Sequence, residues 1–270
     1  MRILIVNDDG INAPGLAVAE ELASALAGPD GEIWVVAPEN ERSGASHAIS
    51  YASPMRVGQI APRRYAIDGY PADCALVGLC HLLADTPPDL VISGVNRGFN
   101  LAEDTVYSGT VGAAMEAALQ GAKAVALSQA YSRNPGAPSD LWSASRAHGL
   151  AALRAVLRMP WRKGVFYNVN FPPIDASAVT GMRVCPHGMR ASATFKVDRH
   201  VAPNGREYHF LAHATRNESA PEGTDAALVT EGLVTISPLF PQITAEDLLE
   251  EASAVLEGGH GGMQSAAGGA

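Results

Sequence analysis

Two adjacent carboxylates near the amino terminus carry the strongest chemical signal in this sequence. Asp8 and Asp9 follow a short apolar run, residues 3–6, and precede Gly10 and a helical pattern that opens at Pro14. An apolar run without alternation is typical of a strand buried on both faces of a parallel sheet, and ligands bind beyond the carboxyl ends of such strands. Neighbouring carboxylates raise each other's pKa, and a hard divalent cation relieves that conflict. On this stretch alone, a simple Asp-Asp-Gly turn explains the residues equally well.

Three further polar loops are predicted to lie at the same edge of the sheet. Ser43 opens the loop 43–46 after the second strand, Asn96 and Asn100 follow a later strand, and Ser108-Gly109-Thr110 precedes a helix. Two carboxylates, a hydroxyl and an amide oxygen form an all-oxygen set that suits Mg²⁺ or Mn²⁺ better than Zn²⁺. N–H groups and hydroxyls at a helix N-terminus bind anions. A metal site beside such a phosphate cradle predicts phosphoryl chemistry.

Each loop also has a simpler explanation. Ser108 or Thr110 could be only a helix N-cap, and Ser43 could be an ordinary loop residue. Asn96 could be chosen only because asparagine tolerates a left-handed backbone. His47 could act as a base, although a loop histidine is more often only solvated. The coincidence of all four elements at one predicted edge favours a functional site.

Strand and helix patterns that alternate along the first two thirds of the chain must position these residues. Buried-strand patterns lie at residues 3–6, 33–37, 89–93, 124–127 and 165–169, and helical patterns lie at 13–27, 71–83, 111–119 and 139–158. Residues 49–68 hold short apolar runs that we interpret as β-structure. This alternation predicts an α/β fold with a mainly parallel sheet.

The pattern changes after Phe171-Pro172-Pro173. Segments 196–201 and 207–211 flank Asn204-Gly205, a turn typical of a β-hairpin, a short strand pattern lies at 233–236, and no helical pattern returns until 245–256. We therefore divide the chain into a Rossmann-like core, 1–185, a C-terminal β-hairpin and helix arm, 186–257, and a disordered tail, 258–270, that is mostly Gly, Ala and Ser. Such an arm often packs on a partner chain, by exchange or otherwise.

Composition and charge narrow the class of protein. The chain has 270 residues, 47% of them hydrophobic and 17% charged, so it can bury a core. A formal net charge of −9 argues against binding to nucleic acid polymers or anionic membranes, although a metal can reverse the sign locally for a small phosphorylated substrate. The three cysteines form no CxxC pair and are odd in number, which argues against a structural zinc site or a disulfide framework and fits a reducing compartment. With no signal peptide pattern at the N-terminus, we expect a cytoplasmic protein.

Several long motifs resemble the SurE family (survival protein E). They are NDDGINAPGL from residue 7, VVAPENERSGASHAIS from residue 35, SGVNRGFNLAEDTVYSGTVGAAMEA from residue 93, NVNFP from residue 168 and GTDAALVTEGLVTISPL from residue 223. That family comprises metal-dependent 5'/3'-nucleotidases that also trim short polyphosphate. The resemblance implies this activity, a three-layer αβα sandwich, and a homodimer or homotetramer built by exchange of the C-terminal elements.

The resemblance also implies a set of site residues. The metal ligands would be Asp8, Asp9, Ser43 and Asn96, and the phosphate site would be lined by Asn100, Ser108, Gly109 and Thr110. We accordingly expect one Mg²⁺ or Mn²⁺ ion, catalytic roles for Asp8, Asp9 and Asn96, and Ser43 and Gly44 among the substrate-binding residues. The chain departs from the family at Ala102, where a glycine is usual, and at Tyr70, where a threonine is usual.

The resulting hypothesis is a metal-dependent phosphomonoester hydrolase that acts on nucleoside monophosphates. A phosphatase that forms a covalent aspartyl-phosphate is the alternative among enzymes. A nucleotide-binding sensor without turnover is the alternative from another class. A dinucleotide-binding Rossmann protein is disfavoured, because NDDGINAPG stands after the first strand where GxGxxG would be required.

Overall fold

A computed structural model describes residues 1–132, 138–190, 195–213 and 220–259. The chain divides into a large unit, Met1–Phe240, and a small C-terminal unit, Pro241–Ala270. The strands are β1 (Arg2–Val6), β2 (Glu32–Pro38), β3 (Val57–Ala61), β4 (Arg64–Ile67), β5 (Leu90–Arg97), β6 (Ala124–Gln129), β7 (Phe166–Phe171), β8 (Gly181–Val184), β9 (Phe195–Val201), β10 (Glu207–His213) and β11 (Leu233–Leu239). The helices are α1 (Pro14–Ala27), α2 (Pro71–Val77), α3 (Gly109–Leu119), α4 (Ser143–Leu157), α5 (Asp225–Thr230) and α6 (Leu249–Gly259).

A nine-stranded sheet forms the centre of the large unit, in the order β3-β4-β2-β1-β5-β6-β7-β11-β8. The six strands from β4 to β7 in this order are mutually parallel, and the flanking strands β3 and β11 pair antiparallel to them. The chain moves from β1 outward through β2 to the edge strand β3, turns back into β4, and then crosses to β5 on the other side of β1. The switch point between β1 and β5 is where open α/β sheets bind ligands.

The helices cover both faces of this sheet. Ile3 and Ile5 pack in one buried cluster with Leu16 of α1 and residues of α4, and Leu4 packs in a second cluster with Val111 of α3 and residues of α2. Residues 3–6 are fully buried, because alternate side chains of β1 point into the two clusters. The predicted α/β fold with its three αβα layers is therefore confirmed.

Most predicted elements of the first 171 residues are present with small shifts of their ends. Pro14 stands first in α1, where its missing N–H costs no helical hydrogen bond, and Gly28 at φ 78° follows the last turn. The predicted helix from Pro71 is α2 followed by a π-helical turn, Gly78–Leu82. The runs within 49–68 form the short edge strands β3 and β4.

The C-terminal part differs from the prediction in one element. The hairpin β9–β10 is present as a separate two-stranded sheet around Asn204-Gly205. The expectation that no helix occurs before residue 245 was wrong, because α5 lies at residues 225–230. A helix of six residues is too short to give a reliable periodic signal. Strand β11 belongs to the central sheet, between β7 and β8.

The division of the chain at residue 185 stays a prediction. The helix predicted at 245–256 is a 3-10 turn, Glu246–Leu248, followed by α6, which includes the first two residues of the predicted tail. Residues 260–270 of that tail lie outside the described residues. No helix in the described part of the chain has the length and apolar character needed to span a membrane.

Candidate active site

A cleft of about 740 Å³ opens at the carboxyl ends of β1 and β5. It brings together residues from the loops after β1, β2, β5 and β6, from the start of α3 and from the start of β9. The lining residues are Asp8, Ser43, Gly44, Asn96, Arg97, Gly98, Phe99, Asn100, Asp104, Tyr107, Ser108, Tyr131 and Phe195. Six residues proposed from the sequence are thus in one cleft, and the other three, Asp9, Gly109 and Thr110, adjoin them in the chain.

Asp8 is buried at the floor of the cleft. The Thr110 hydroxyl donates to its Oδ1 at 2.6 Å, and the Thr110 backbone N–H donates to its Oδ2 at 3.2 Å. Burial and, next, the negative charge of Asp9 raise the pKa of Asp8 to about 6, although the hydrogen bonds from Thr110 oppose the shift. The carboxylate is therefore costly to ionise unless a cation lies beside it.

The start of α3 approaches Asp8 closely because Gly109 has no side chain. A Cβ atom at Gly109 would lie 2.9 Å from the Cβ of Asp8 and 2.9 Å from the Cγ of Pro71. Ser108 is the N-cap, and its hydroxyl accepts a hydrogen bond from the Val111 N–H at 3.1 Å. The N-cap explanation of Ser108 is therefore correct, but Ser108 also lines the cleft, where the N-terminus of α3 favours an anion.

Asp9 joins the loop after β1 to the end of β5. Its Oδ2 accepts a hydrogen bond from the Arg97 backbone N–H at 3.1 Å. Burial raises the pKa of Asp9, the Arg97 hydrogen bond opposes this, and the nearby Glu41 raises it further. Asn96 precedes Arg97 and donates from Nδ2 to the carbonyl oxygen of Gly98 at 3.2 Å. Within the described residues the amide oxygen of Asn96 has no hydrogen-bond donor, so it can accept or coordinate from the cleft.

The loop after β2 is attached to the same floor. The Arg42 N–H donates to the carbonyl oxygen of Asp8 at 2.8 Å, and the Ser43 hydroxyl donates to Oε1 of Glu41 at 2.7 Å. Gly44 follows with φ 75°, a conformation that glycine adopts without strain. Glu41 is a third acidic group near Asp9 that sequence reasoning did not single out, although it stands only two residues before Ser43.

His47 does not line the cleft. Its Nε2 lies 2.6 Å from Oε2 of Glu116, a buried residue of α3. The possible role of His47 as a base thus lacks support, and its contact ties the loop after β2 to α3. Ser46 adds to this attachment, since its N–H and hydroxyl donate to the carbonyl oxygens of Tyr107 and Val106.

Aromatic side chains form the outer walls of the cleft, and no pattern in the sequence predicted them. They come from separate segments and include Phe99, Tyr107, Tyr131 and Phe195. The rings of Tyr107 and Phe195 meet edge to face at 5.0 Å between centroids, and the Arg97 guanidinium lies 5.7 Å from the centre of the Tyr131 ring. Only the folded chain brings these residues to one cleft.

Comparison with known proteins places the chain in a family. A family model described as survival protein SurE matches residues 3–194. The 5'-nucleotidase SurE of Cereibacter sphaeroides (strain ATCC 17029 / ATH 2.4.9) is 49% identical over 260 residues, which cover 95% of this chain and 100% of the relative. The chain belongs to the SurE family.

Two further members of the SurE family are similar to this chain over nearly its whole length. The 5'-nucleotidase SurE of Roseobacter denitrificans is 49% identical over 253 residues, which cover 92% of this chain and 97% of the relative. A crystal structure of the Sure protein from Aquifex aeolicus is similar with a TM-score of 0.79 and 31% identity, over 95% of this chain and 100% of that chain. The resemblance inferred from the motifs is thus confirmed.

The SurE residues of this chain fit a divalent cation by the chemistry of their donors. No group of three or more His, Cys, Asp or Glu side chains that could hold a metal occurs in the described residues. Asp8 and Asp9 would therefore need Ser43 and Asn96 as further ligands, and all four donors are oxygens. Among the described residues neither carboxylate lies within ion-pair distance of a Lys or Arg side chain, although the more distant charge of Arg97 acts to lower the pKa of Asp9. A cation would therefore supply further positive charge at this pair.

The departure from the usual SurE pattern at Ala102 is visible in the backbone. Ala102 has φ 49°, in the left-handed region that favours glycine. It is fully buried, and its N–H donates to Oδ2 of Asp225 at 3.0 Å. The loop therefore keeps a conformation suited to glycine although alanine occupies the position.

Proposed function

We propose that this chain is a divalent-metal-dependent phosphomonoester hydrolase that releases phosphate from nucleoside 5'-monophosphates. The observation that carries the proposal is the contact between the buried Asp8 carboxylate and Thr110 at the N-terminus of α3. It joins a pair of carboxylates suited to a cation to a helix N-terminus suited to a phosphate. The curated relatives named 5'-nucleotidase SurE, 49% identical over 95% of the chain, support the substrate class.

The metal site of this proposal consists of Asp8, Asp9, Ser43 and Asn96. These four residues would hold a divalent ion, whose chemistry would be to polarise a phosphoryl oxygen, to help supply a nucleophilic water and to offset charge in the transition state. Asp8 is held in one orientation by two hydrogen bonds from Thr110, and Asp9 by the Arg97 N–H. These contacts preorganise the two carboxylates, so that little rearrangement is needed before reaction.

The phosphate is held by the start of α3 and by Asn100. The Gly109 N–H and the Ser108 hydroxyl donate to phosphate oxygens, since the Thr110 and Val111 N–H groups already donate to Asp8 and to Ser108. The helix dipole favours the negative charge of the phosphate. Gly109 lets this turn lie against Asp8, which keeps the phosphate next to the carboxylates. The substrate phosphorus is thereby oriented for attack by water.

The outer part of the cleft receives the nucleoside. A volume of about 740 Å³ is enough for a nucleotide, and the aromatic walls offer flat apolar surfaces for a base. Base stacking on aromatic side chains tolerates any base, because every base has a π-face. The proposal therefore includes broad base acceptance.

We also propose further substrates, the identity of the ion and an oligomeric state. We include nucleoside 3'-monophosphates and short polyphosphate as substrates, Mg²⁺ or Mn²⁺ as the ion, and a homodimer or homotetramer that uses the segment 186–257. Exposed apolar side chains on the β9–β10 hairpin support the last point, among them Val197, Val201, Phe210 and Leu211. Exposed apolar surface of this kind is typical of an interaction site.

The proposal is tested by phosphate release from 5'-AMP, 3'-AMP and tripolyphosphate. Metal-stripped protein is assayed with and without added Mg²⁺ or Mn²⁺, beside Asp9→Asn and the control Asp30→Asn, which changes an exposed turn. We expect metal-dependent release by the wild type and the control, and a loss of at least about a hundredfold in Asp9→Asn. Metal binding without release from any substrate would favour a sensor, and a trapped phosphoprotein would favour the aspartyl-phosphate route.

A further inference from the structure

The backbone of Asn100 is held by two buried asparagines of β7. The Asn100 N–H donates to Oδ1 of Asn170 at 2.8 Å. The Asn100 carbonyl oxygen accepts hydrogen bonds from Nδ2 of Asn168 at 2.8 Å and from Nδ2 of Asn170 at 3.0 Å. Both backbone groups of one cleft residue are therefore bound by side chains about 70 positions away in the chain.

The side chain of Asn100 is held by Ser128 at the end of β6. Its Nδ2 donates to the Ser128 hydroxyl at 2.7 Å, and Ser128 is fully buried. Ser128 and Asn170 are register partners on neighbouring parallel strands, so the two contacts come from one face of the sheet. This bond fixes the plane of the Asn100 amide and leaves its second N–H free to donate within the cleft.

Burial of these three polar side chains lowers the stability of the fold. Ser128, Asn168 and Asn170 are at most 1% exposed, at positions where apolar side chains would pack without polar groups to satisfy. In addition, Oδ1 of Asn168 is buried without a hydrogen-bond partner among the described residues. A buried polar network with an unsatisfied atom makes a core less stable than apolar side chains would. Stability alone therefore does not account for these three residues.

We propose that Ser128, Asn168 and Asn170 are positioning residues that hold Asn100 for phosphate binding. Asn168 and Asn170 fix its backbone, and Ser128 fixes the plane of its amide. A hydrogen bond to phosphate depends on direction, so a donor locked in place loses less rotamer freedom on binding. This inference rests on the proposed function, which assigns Asn100 to the phosphate site.

The test measures two properties of Ser128→Ala, Asn170→Ala and the wild type in the presence of Mg²⁺. They are the Kd of inorganic phosphate by calorimetry and the kcat and KM for 5'-AMP. We expect Ser128→Ala to raise the Kd and the KM about three- to tenfold, with Mg²⁺ affinity unchanged. Asn170→Ala should weaken phosphate binding at least as much, because two hydrogen bonds to the backbone are lost. Ser128→Ala removes a single oxygen, so it tests the inference even where Asn170→Ala fails to fold.

A double-mutant cycle separates positioning from a general loss of stability. In an Asn100→Ala background there is no amide left to orient, so adding Ser128→Ala should change the Kd of phosphate by less than about twofold. The matched control is Thr235→Val, since Thr235 is fully buried, is the register partner of Asn170 on β11 and has no hydrogen-bond partner for its hydroxyl among the described residues. Thr235→Val should leave the Kd of phosphate and the KM for 5'-AMP unchanged.

The outcomes distinguish this inference from the proposed function. Unchanged phosphate affinity in Ser128→Ala overturns the positioning role, and so does an equal loss with and without Asn100. A wild type that binds phosphate but releases none from 5'-AMP contradicts the proposed function alone, because the binding comparison still decides the role of Ser128. A wild type that binds no phosphate contradicts both.

Discussion

The Thr110 hydroxyl donates a hydrogen bond of 2.6 Å to Oδ1 of Asp8, although the two residues are 102 positions apart in the chain. Asp8 follows β1 and Thr110 lies in the first turn of α3, on the two sides of the switch point of the sheet. Both residues are buried. This contact sets the position of the candidate metal site relative to the candidate phosphate site.

Replacement of Thr110 by valine should impair activity with little change of shape. Thr110→Val removes the hydroxyl from a bond to a carboxylate, which predicts a fall of kcat/KM by about ten- to a hundredfold. Thr110→Ser keeps the hydroxyl and should retain most of the activity. Steady-state assays on 5'-AMP at saturating metal give kcat/KM for the two variants and the wild type. A valine variant as active as the serine variant would show that the hydrogen bond has no catalytic importance.

Asp8 should make the metal-free protein less stable as the pH rises. Its pKa in the folded protein is raised to about 6, so its full contribution to stability is present below about pH 3.8 and is lost as the pH passes about 6. The Asp8→Asn variant has no such carboxylate to ionise. At pH 7, in the presence of a chelator, its free energy of unfolding should exceed that of the wild type by up to about 3 kcal/mol.

Urea unfolding of the wild type and Asp8→Asn from pH 4 to pH 7.5 measures this difference. It should be small near pH 4 and grow as the pH rises. Added Mg²⁺ should stabilise the wild type and leave the variant almost unchanged, because binding to the folded state alone raises stability. Parallel stability curves for the two proteins would contradict the prediction.

Local patterns were enough to predict the framework of the site but not its contacts. The apolar run before Asp8 and the polar residues after later strands predicted which loops share one edge, because strand type and order follow from short-range periodicity. The Asp8–Thr110 bond, the Asn170–Asn100 bonds and the aromatic walls depend on the packing of distant segments. Helix α5 was missed because six residues give too weak a periodic signal.

A methyl group at Gly109 should push α3 away from Asp8. In Gly109→Ala the new Cβ would lie 2.9 Å from atoms of Asp8 and Pro71, both close to the backbone and unable to move freely. Overpacking of this kind costs about 1–3 kcal/mol of stability, and we expect kcat to fall about tenfold or more.

Gly58→Ala serves as the matched control for Gly109→Ala. The nearest atom to a Cβ at Gly58 lies 3.7 Å away, which is ordinary van der Waals contact. Thermal unfolding and steady-state kinetics of both variants test the prediction. Full activity in Gly109→Ala would mean that the start of α3 does not need to approach Asp8 so closely.

The contact between His47 and Glu116 should matter for metal affinity more than for the chemical step. Their side chains meet at 2.6 Å and hold the loop that carries Ser43 against α3. His47→Ala and Glu116→Gln should each weaken metal binding by about three- to tenfold and leave kcat at saturating metal within about twofold. Metal titration by calorimetry gives the affinities, and the double variant should lose no more than either single one. A large fall of kcat at saturating metal would instead indicate a direct role in catalysis.

Glu103 should protect the loop beside the cleft against unfolding at neutral pH. Burial raises the pKa of Glu103, but hydrogen bonds from the backbone and guanidinium of Arg190 outweigh it and lower the pKa to about 2. The stabilisation is therefore present above about pH 4.5 and is lost as the pH falls toward 2. Glu103→Gln should cost about 1–3 kcal/mol at pH 7, and the cost should shrink below pH 4.5.

The exposed Glu231 provides the control for this last prediction, because Glu231→Gln should change stability by less than about 0.5 kcal/mol at either pH. Urea unfolding at pH 7 and pH 3 measures both variants. Arg190 also binds Asp104, which lines the cleft, so the loss of Glu103 should loosen a wall of the site and raise the KM for 5'-AMP. An equal cost of Glu103→Gln at the two pH values would show that its ionised form is not what holds this loop.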